Sequence, residues 1–292
     1  MNRIKGILCA AVSSSTFGLA PFFSITLLLA GFSAFEVLSY RWGVASIVLI
    51  VFGWLSGCNF RLAGKDWGVV FLLSLLRAVT SFSLIIAYQN IASGVASTIH
   101  FMYPLAVALA MMFFFREKKS LLVILAVLMS LLGAALLSLG ELEAKSGNTM
   151  VGLVAACVSV FSYAGYIVGV RTTRAVQINS TALTCYVMGL GTIFYLIGAY
   201  CTSGLQLVSD GYTWLIILGL ALPATAISNI TLVQAIKYAG PTLTSILGAM
   251  EPLTAVVIGV FVFKELFTVN SAVGIILILL AVSIVVFRRQ KS

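Results

Sequence analysis

Glu251 stands in the apolar run SILGAMEPLTAVVIGV (245–260) with Pro252 directly behind it. Arg41, Arg77 and His100 are placed in the same way, deep inside long apolar stretches, and Glu36 lies near the end of another. On the insertion scale a charged side chain at the centre of a membrane helix costs about 2.5–3.5 kcal/mol. Each of these residues therefore needs a partner or a task. Two readings of Arg77 and Glu251 stand side by side. In one they form a buried ion pair that lets two charges coexist, and such pairs are weak evidence for stability. In the other they are a working site: Glu251 holds a proton or a ligand amine, while Arg77 neutralises it when empty and holds a ligand carboxylate when loaded. Pro252 then matters because a helix break beside Glu251 lets water and ligand reach it. His100 is a candidate proton relay or cavity hydrogen-bonding group, with an ordinary structural histidine as the alternative. Glu251 and His100 are thus the proton-coupling candidates.

Other chemistry finds no residues to carry it. With one histidine in the chain and no GxSxG, HExxH or CxxC, neither a Ser-His-Asp triad nor a zinc site is expected. The segment GCNFRLAGKD (57–66) ends in Gly-Lys like a phosphate loop, but its spacing is wrong and no Ser or Thr follows the lysine. No enzyme activity, cofactor or metal is expected. The five cysteines, Cys9, Cys58, Cys157, Cys185 and Cys201, are scattered and odd in number, which is no disulfide framework.

The elements that must hold these charges follow from composition. The chain of 292 residues is 61% hydrophobic and 9% charged, against roughly 25% charged residues in soluble domains. Its natural solvent is a bilayer. A helix needs about 20 apolar residues to span it, and on that ruler ten spans are predicted, near 4–29, 34–56, 67–88, 93–115, 120–139, 149–170, 180–202, 212–236, 241–263 and 269–287. The first is too long for the apolar region of a cleaved signal peptide. The net charge of +9 is spread singly and in pairs between spans, which excludes a nucleic-acid face and reads instead as a topology signal. With the N-terminus inside, 13 basic residues lie on the inner side: Arg3, Lys5, Arg61, Lys65, Arg116, Lys118, Lys119, Arg171, Arg174, Lys237, Arg288, Arg289 and Lys291. Only Lys145 and Lys264 lie outside. This bias predicts a multi-pass protein of the cytoplasmic (inner) membrane with both termini in the cytoplasm. At 1.5 Å per residue Glu251 and Arg77 then sit about 15–16 Å from the inner ends of their helices, at mid-bilayer, and Arg41 and His100 about 10 Å below the outer surface.

Polarity sorts the helices. The fifth and tenth are apolar all round, as lipid-facing helices are. The first, third, fourth, sixth, eighth and ninth carry stripes at helical spacing: Ser13/Phe17/Ser24, Ser74/Arg77/Ser81, Ser97/His100/Tyr103, Ser159/Tyr163/Tyr166, Thr225/Asn229 and Thr244/Gly248/Glu251. Singly such stripes, Gly165-xxx-Gly169 included, read as helix-packing surfaces; together with the buried charges they read as the lining of a cavity. Phe17, Arg77, His100, Tyr103, Tyr163, Tyr166, Asn229 and Glu251 are the candidate binding residues. Pro21, Pro104, Pro223 and Pro252 break four of these spans, which lipid tolerates only where water or neighbours re-satisfy the backbone. Pro241, by contrast, opens the ninth span, where proline is favoured.

The two halves of the chain echo one another. At an offset of 148, AYQNIAS…YPL…FREKKS (87–120) falls on AIKYAGP…EPL…FKELFT (235–268), and Pro104 meets Pro252. At 146, Gly6, Ala10, Val12, Ser13 and Phe17 meet Gly152, Ala156, Val158, Ser159 and Tyr163; at 147, Trp67 meets Trp214. A duplicated unit with an odd number of spans enters the membrane from opposite sides. The expected fold is all-α, ten transmembrane helices as two inverted five-helix repeats, 1–142 and 148–292, around a central cavity. This pattern, with YPLAVALAMMFFFRE and EPLTAVVIGVFVFKE at equivalent places, resembles the drug/metabolite transporter superfamily, and within it the EamA type. The first half departs from the family in ending REKKS, without the apolar residue that usually follows the Glu. The resemblance implies a cavity lined by the same six helices, and a secondary transporter that exports amino acids or similar small amphipathic metabolites by alternating access. A flippase or scaffold acting on a lipid-like amphiphile is the alternative. The expected partners are a small-molecule substrate and the bilayer; a homodimer is compatible with the sequence and not required by it.

Overall fold

The computed structural model describes residues 2–91, 93–117, 120–138, 147–202, 204–261 and 268–288. Lys118, Lys119, Lys145, Lys264, Glu265, Arg289 and Lys291, with most of the linker GELEAKSGN, lie outside the described residues. Among the described residues every regular element is helical. In chain order the α-helices are α1 (Asn2–Phe17), α2 (Ala20–Leu29), α3 (Ala34–Leu55), α4 (Trp67–Asn90), α5 (Ser93–His100), α6 (Tyr103–Phe113) and α7 (Leu121–Ser138). They continue as α8 (Thr149–Thr172), α9 (Ser180–Cys201), α10 (Gly211–Ala221), α11 (Ser228–Ala239), α12 (Pro241–Leu247), α13 (Met250–Phe261) and α14 (Val269–Arg288). Short 3-10 turns precede α4 and α9, and a π-helical turn, Leu222–Ile227, joins α10 to α11.

Several expected spans are interrupted, each at its proline. The first breaks at Gly18–Leu19 before Pro21, the fourth at Phe101–Met102 before Pro104, and the ninth at Gly248–Ala249 before Pro252. Proline lacks the N–H that the helix ladder needs and crowds the carbonyl one turn back. In the eighth span Pro223 produces a π turn rather than a full stop, a local widening that adds one residue to the turn. The third and sixth spans, α4 and α8, carry no proline and are unbroken over 24 residues each. Pro241 opens α12 directly after Gly240, whose φ of 88° is one that L side chains rarely adopt.

Seven segments are long and apolar enough to cross a membrane, counting α1–α2, α5–α6 and α10–α11 as continuous. The other three expected spans, α7, α12–α13 and α14, fall short of that length and composition over the described residues. The molecule is an all-helical, multi-pass membrane protein. Large apolar side chains line the outside of α7 and α14, among them Leu121, Leu125, Leu132, Ile276 and Leu280, in keeping with a lipid-facing fifth and tenth helix.

Small residues set how closely the helices approach. α1 lies on α11, α3 on α9, α4 on α8, α7 on α14 and α6 on α12. Gly6 faces Tyr238 and Ala239, and Gly191 receives the Trp42 ring so closely that a β-carbon there would stand 2.1 Å from it. Gly165 and Gly169 lie under Leu76 and Leu73 of α4, so this pair is a packing surface. Glu36 closes a capping box with Ser33 at the start of α3 and accepts the Gln206 N–H at 2.6 Å. Its work is to hold a helix start and the loop before α10.

Candidate functional site

The interrupted helices converge on one buried cluster. Arg77, at mid-α4 and 1% exposed, donates its Nε–H to Asn229 Oδ1 at 3.1 Å. Asn229 is itself fixed by donating to the Thr225 carbonyl at 2.7 Å, in the π turn. The guanidinium carbon lies 4.9 Å from the Tyr163 ring centroid, 5.3 Å from Phe17 and 5.9 Å from Tyr166. A desolvated guanidinium in such a box gains about 2 kcal/mol or more from the ring quadrupoles. Its Nη1 has no hydrogen-bond partner among the described residues.

Tyr163 passes the cluster on to the fourth span. Its ring stacks on His100 at 5.3 Å and meets Tyr103 edge-on at 4.6 Å. The His100 Nδ1 lies 2.8 Å from Ser159 Oγ, whose own proton goes to the Ala156 carbonyl at 2.6 Å. The Ser159 oxygen must then receive an Nδ1–H, which leaves the neutral imidazole's Nε2 as a bare acceptor. That Nε2 is buried and unpartnered, as are Tyr166 Oη and Thr244 Oγ1. Buried polar atoms are ordinarily satisfied, and four helices here, counting α4 with Arg77 Nη1, each present one without a partner among the described residues.

Tyr103 ties the broken fourth and ninth spans together. Its hydroxyl enters the break beside Gly248, where a β-carbon would stand 1.8 Å from the oxygen. One turn of chain later the Glu251 carbonyl sits against Gly18, the break in the first span, 2.6 Å from where a β-carbon would be. The prolines and glycines thus bring the first span against the backbone of the ninth and admit the Tyr103 side chain of the fourth into the ninth span's break.

Phe17, Arg77, His100, Tyr103, Tyr163, Tyr166 and Asn229 form one contact network. Glu251 joins it through space: its charge reaches both Arg77 and Arg41, and its side chain keeps partial exposure. No ion pair links it to Arg77 among the described residues, because the arginine is committed to Asn229 and the aromatic rings. A static Arg77–Glu251 bridge is not formed.

Sequence reasoning left Arg41 out of the site. Its Nε donates to Thr225 Oγ1 at 2.7 Å, and its guanidinium carbon lies 5.5 Å from Phe17, the ring Arg77 also faces. Both arginines line a narrow cavity of about 10 Å³ with Pro21, Ser24, Ser81 and Tyr88, space for about one water. The signal available beforehand was Arg41's depth in its span.

The sequence profile of the EamA-like transporter family matches residues 4–139 and again 150–287. An uncharacterized transporter of Archaeoglobus fulgidus is 28% identical over 238 residues, 80% of this chain and 83% of its own. A protein of known crystal structure shares the fold with a TM-score of 0.80 at 18% identity, covering 100% of this chain and 99% of its own.

Proposed function

The chain belongs to the EamA-like transporter family, and from that premise we propose that it is an alternating-access exporter of amino acids or similar small amphipathic metabolites in the cytoplasmic membrane. It is a transporter, and its medium is the bilayer. The observation that carries the finer reading is the enclosed network of Arg77, His100, Phe17, three tyrosines and Asn229 with Glu251 beside it. A cargo carboxylate suits the unpartnered Nη1 of Arg77, an ammonium suits Glu251 and His100 Nε2, and an apolar body suits the rings. The polar atoms face other helices and not lipid, which favours a soluble metabolite over a lipid-like amphiphile.

Two inverted repeats, 1–142 and 148–292, supply the alternation. Exchanging the halves turns the pair of first and eighth spans (α1 on α11) into the pair of sixth and third (α8 on α4). The pairs α3–α9 and α7–α14 map onto themselves. This invariance, and breaks at equivalent places before Pro104 and Pro252, support a pseudo-two-fold arrangement of ten spans. The end that holds the basic excess is closed: Arg171 donates to the Lys237 carbonyl at 3.0 Å, Lys237 Nζ reaches the Ile178 carbonyl, and Thr242 donates to Glu117 at 2.6 Å. The cavity runs the other way, from Arg77 towards Tyr88. With the termini inside, the closed end is the cytoplasmic one and the small cavity lies on its outer side. The sequence carries no phosphate-loop motif, so an ion or substrate gradient drives the cycle, with Glu251 and His100 as the candidates for carrying a coupled proton.

Mass spectrometry of the medium tests the reading, using cells that overproduce the chain or its Glu251→Gln form at matched levels. One class of solute should accumulate outside only with the unaltered chain. Media identical to an empty control would refute metabolite export.

A further inference from the structure

Two arginines buried against one ring need a negative charge that the protein supplies only in part. Arg41 is 4% and Arg77 1% exposed, both guanidinium groups sit over Phe17 at 5.5 and 5.3 Å, and both residues line the same cavity. Two like charges at low dielectric repel strongly unless an anion lies between them. Glu251 is the carboxylate whose charge reaches both, and it forms no ion pair with either among the described residues. Glu36, five residues before Arg41, is bound to the Ser33 and Gln206 N–H groups. With Glu251 ionised the group carries one net positive charge; with Glu251 protonated it carries two.

The neutral partners fix the arginines without neutralising them. Arg41 is held through Thr225 Oγ1 and, at 3.5 Å, the Ala224 carbonyl. Arg77 is held through Asn229. All three partners lie on the π turn or the first helical turn after it, so one distorted segment aims both guanidinium groups. Arg77 Nη1 remains buried and without an acceptor among the described residues.

We propose that Arg41 and Arg77 form a clamp for the anionic group of the transported molecule, which therefore carries a carboxylate or another small organic anion beside an apolar body. The clamp rests on the transport reading for its role, since it is the cargo that it would hold. It places the acidic end of the cargo between the first, second and third spans, on the outer side of Glu251. The cavity's present size, about one water, admits the acid group only once the helices part.

The test is equilibrium binding to the purified full chain in nanodiscs of a neutral phosphatidylcholine, read as thermal stabilisation at low ionic strength. The probes share one apolar body: 3-phenylpropionate, phenylphosphonate, L-phenylalanine and phenethylamine, with inorganic phosphate alone as a further arm. Acids should stabilise the protein more than phenethylamine does. Preference for phenylpropionate would name a carboxylate cargo, and preference for phenylphosphonate or phosphate a tetrahedral one. Arg41→Gln should weaken acid binding about tenfold or more, as loss of a charge-assisted bond does, with Arg41→Lys retaining part of it. Equal stabilisation by phenethylamine and phenylpropionate, no stabilisation by any acid, or equal acid binding by a folded Arg41→Gln protein would each overturn the clamp. Vectorial movement is measured separately: a cation carried without acid binding would sink the clamp and spare transport, and acid binding without movement would do the reverse.

Discussion

His100 is where a single atom decides between two roles. The Ser159 contact orients the ring, and the stack on Tyr163 holds it flat; both are compatible with simple packing. The unpartnered Nε2 is not what packing alone would choose, since a buried acceptor without a donor costs about 1–3 kcal/mol. If the atom relays protons, His100→Ala should flatten the dependence of transport rate on pH while protein level is retained. An unaltered profile would leave the histidine a structural residue. Asp210, outside the spans, offers a cleaner titration. It caps α10 by accepting the Thr213 N–H at 2.7 Å, which holds its carboxyl below the usual range. A depressed folded-state value means that the cap is present above the ordinary carboxylate pKa and lost as pH falls through the lowered one. Hydrogen exchange in the first turn of α10 should therefore quicken at acid pH. Asp210→Ala should show the fast rate at neutral pH as well, and Asp210→Asn should restore most of the protection.

At the scale of elements, the breaks in the first, fourth and ninth spans are held open by specific contacts. Tyr103 inserted at Gly248 is the most constrained of them. Gly248→Ala should destabilise the protein by about 1–3 kcal/mol, the usual cost of overpacking a filled site, and Tyr103→Phe should recover much of that loss. A thermal melt of the single and double variants checks both statements; an unperturbed single variant would mean that the breaks are loose. The prolines made the broken helices legible from sequence, because a missing N–H acts within its own helix. What could not be read was which glycine each break opposes. Gly248 and Tyr103 are 145 positions apart, and helical periodicity assigns a face without naming the helix that will cover it. The same limit hid Arg41, whose partner Thr225 lies across 184 positions. It also made the Arg77–Glu251 bridge plausible, since charge alone gave no hint that Asn229 would claim the arginine.

For the whole molecule, composition alone announced an all-helical membrane protein, because no water-soluble surface can be made from so few charged residues. Orientation follows from the basic bias and has its own test in the native cysteines. Cys58 lies in the loop before α4 and Cys201 at the exposed end of α9. In single-cysteine forms, a membrane-impermeant thiol reagent should label Cys201 in intact cells and Cys58 only after permeabilisation; the opposite pattern would invert the protein and put the closed end outside. The most direct test of the mechanism is flux in proteoliposomes. The solute found in the medium is loaded inside, a pH gradient is imposed, and efflux is compared between the unaltered chain and Glu251→Gln at equal reconstitution. A gradient-driven flux that Glu251→Gln abolishes is the expected result. Equal flux through both proteins at every pH would contradict a site built on Glu251.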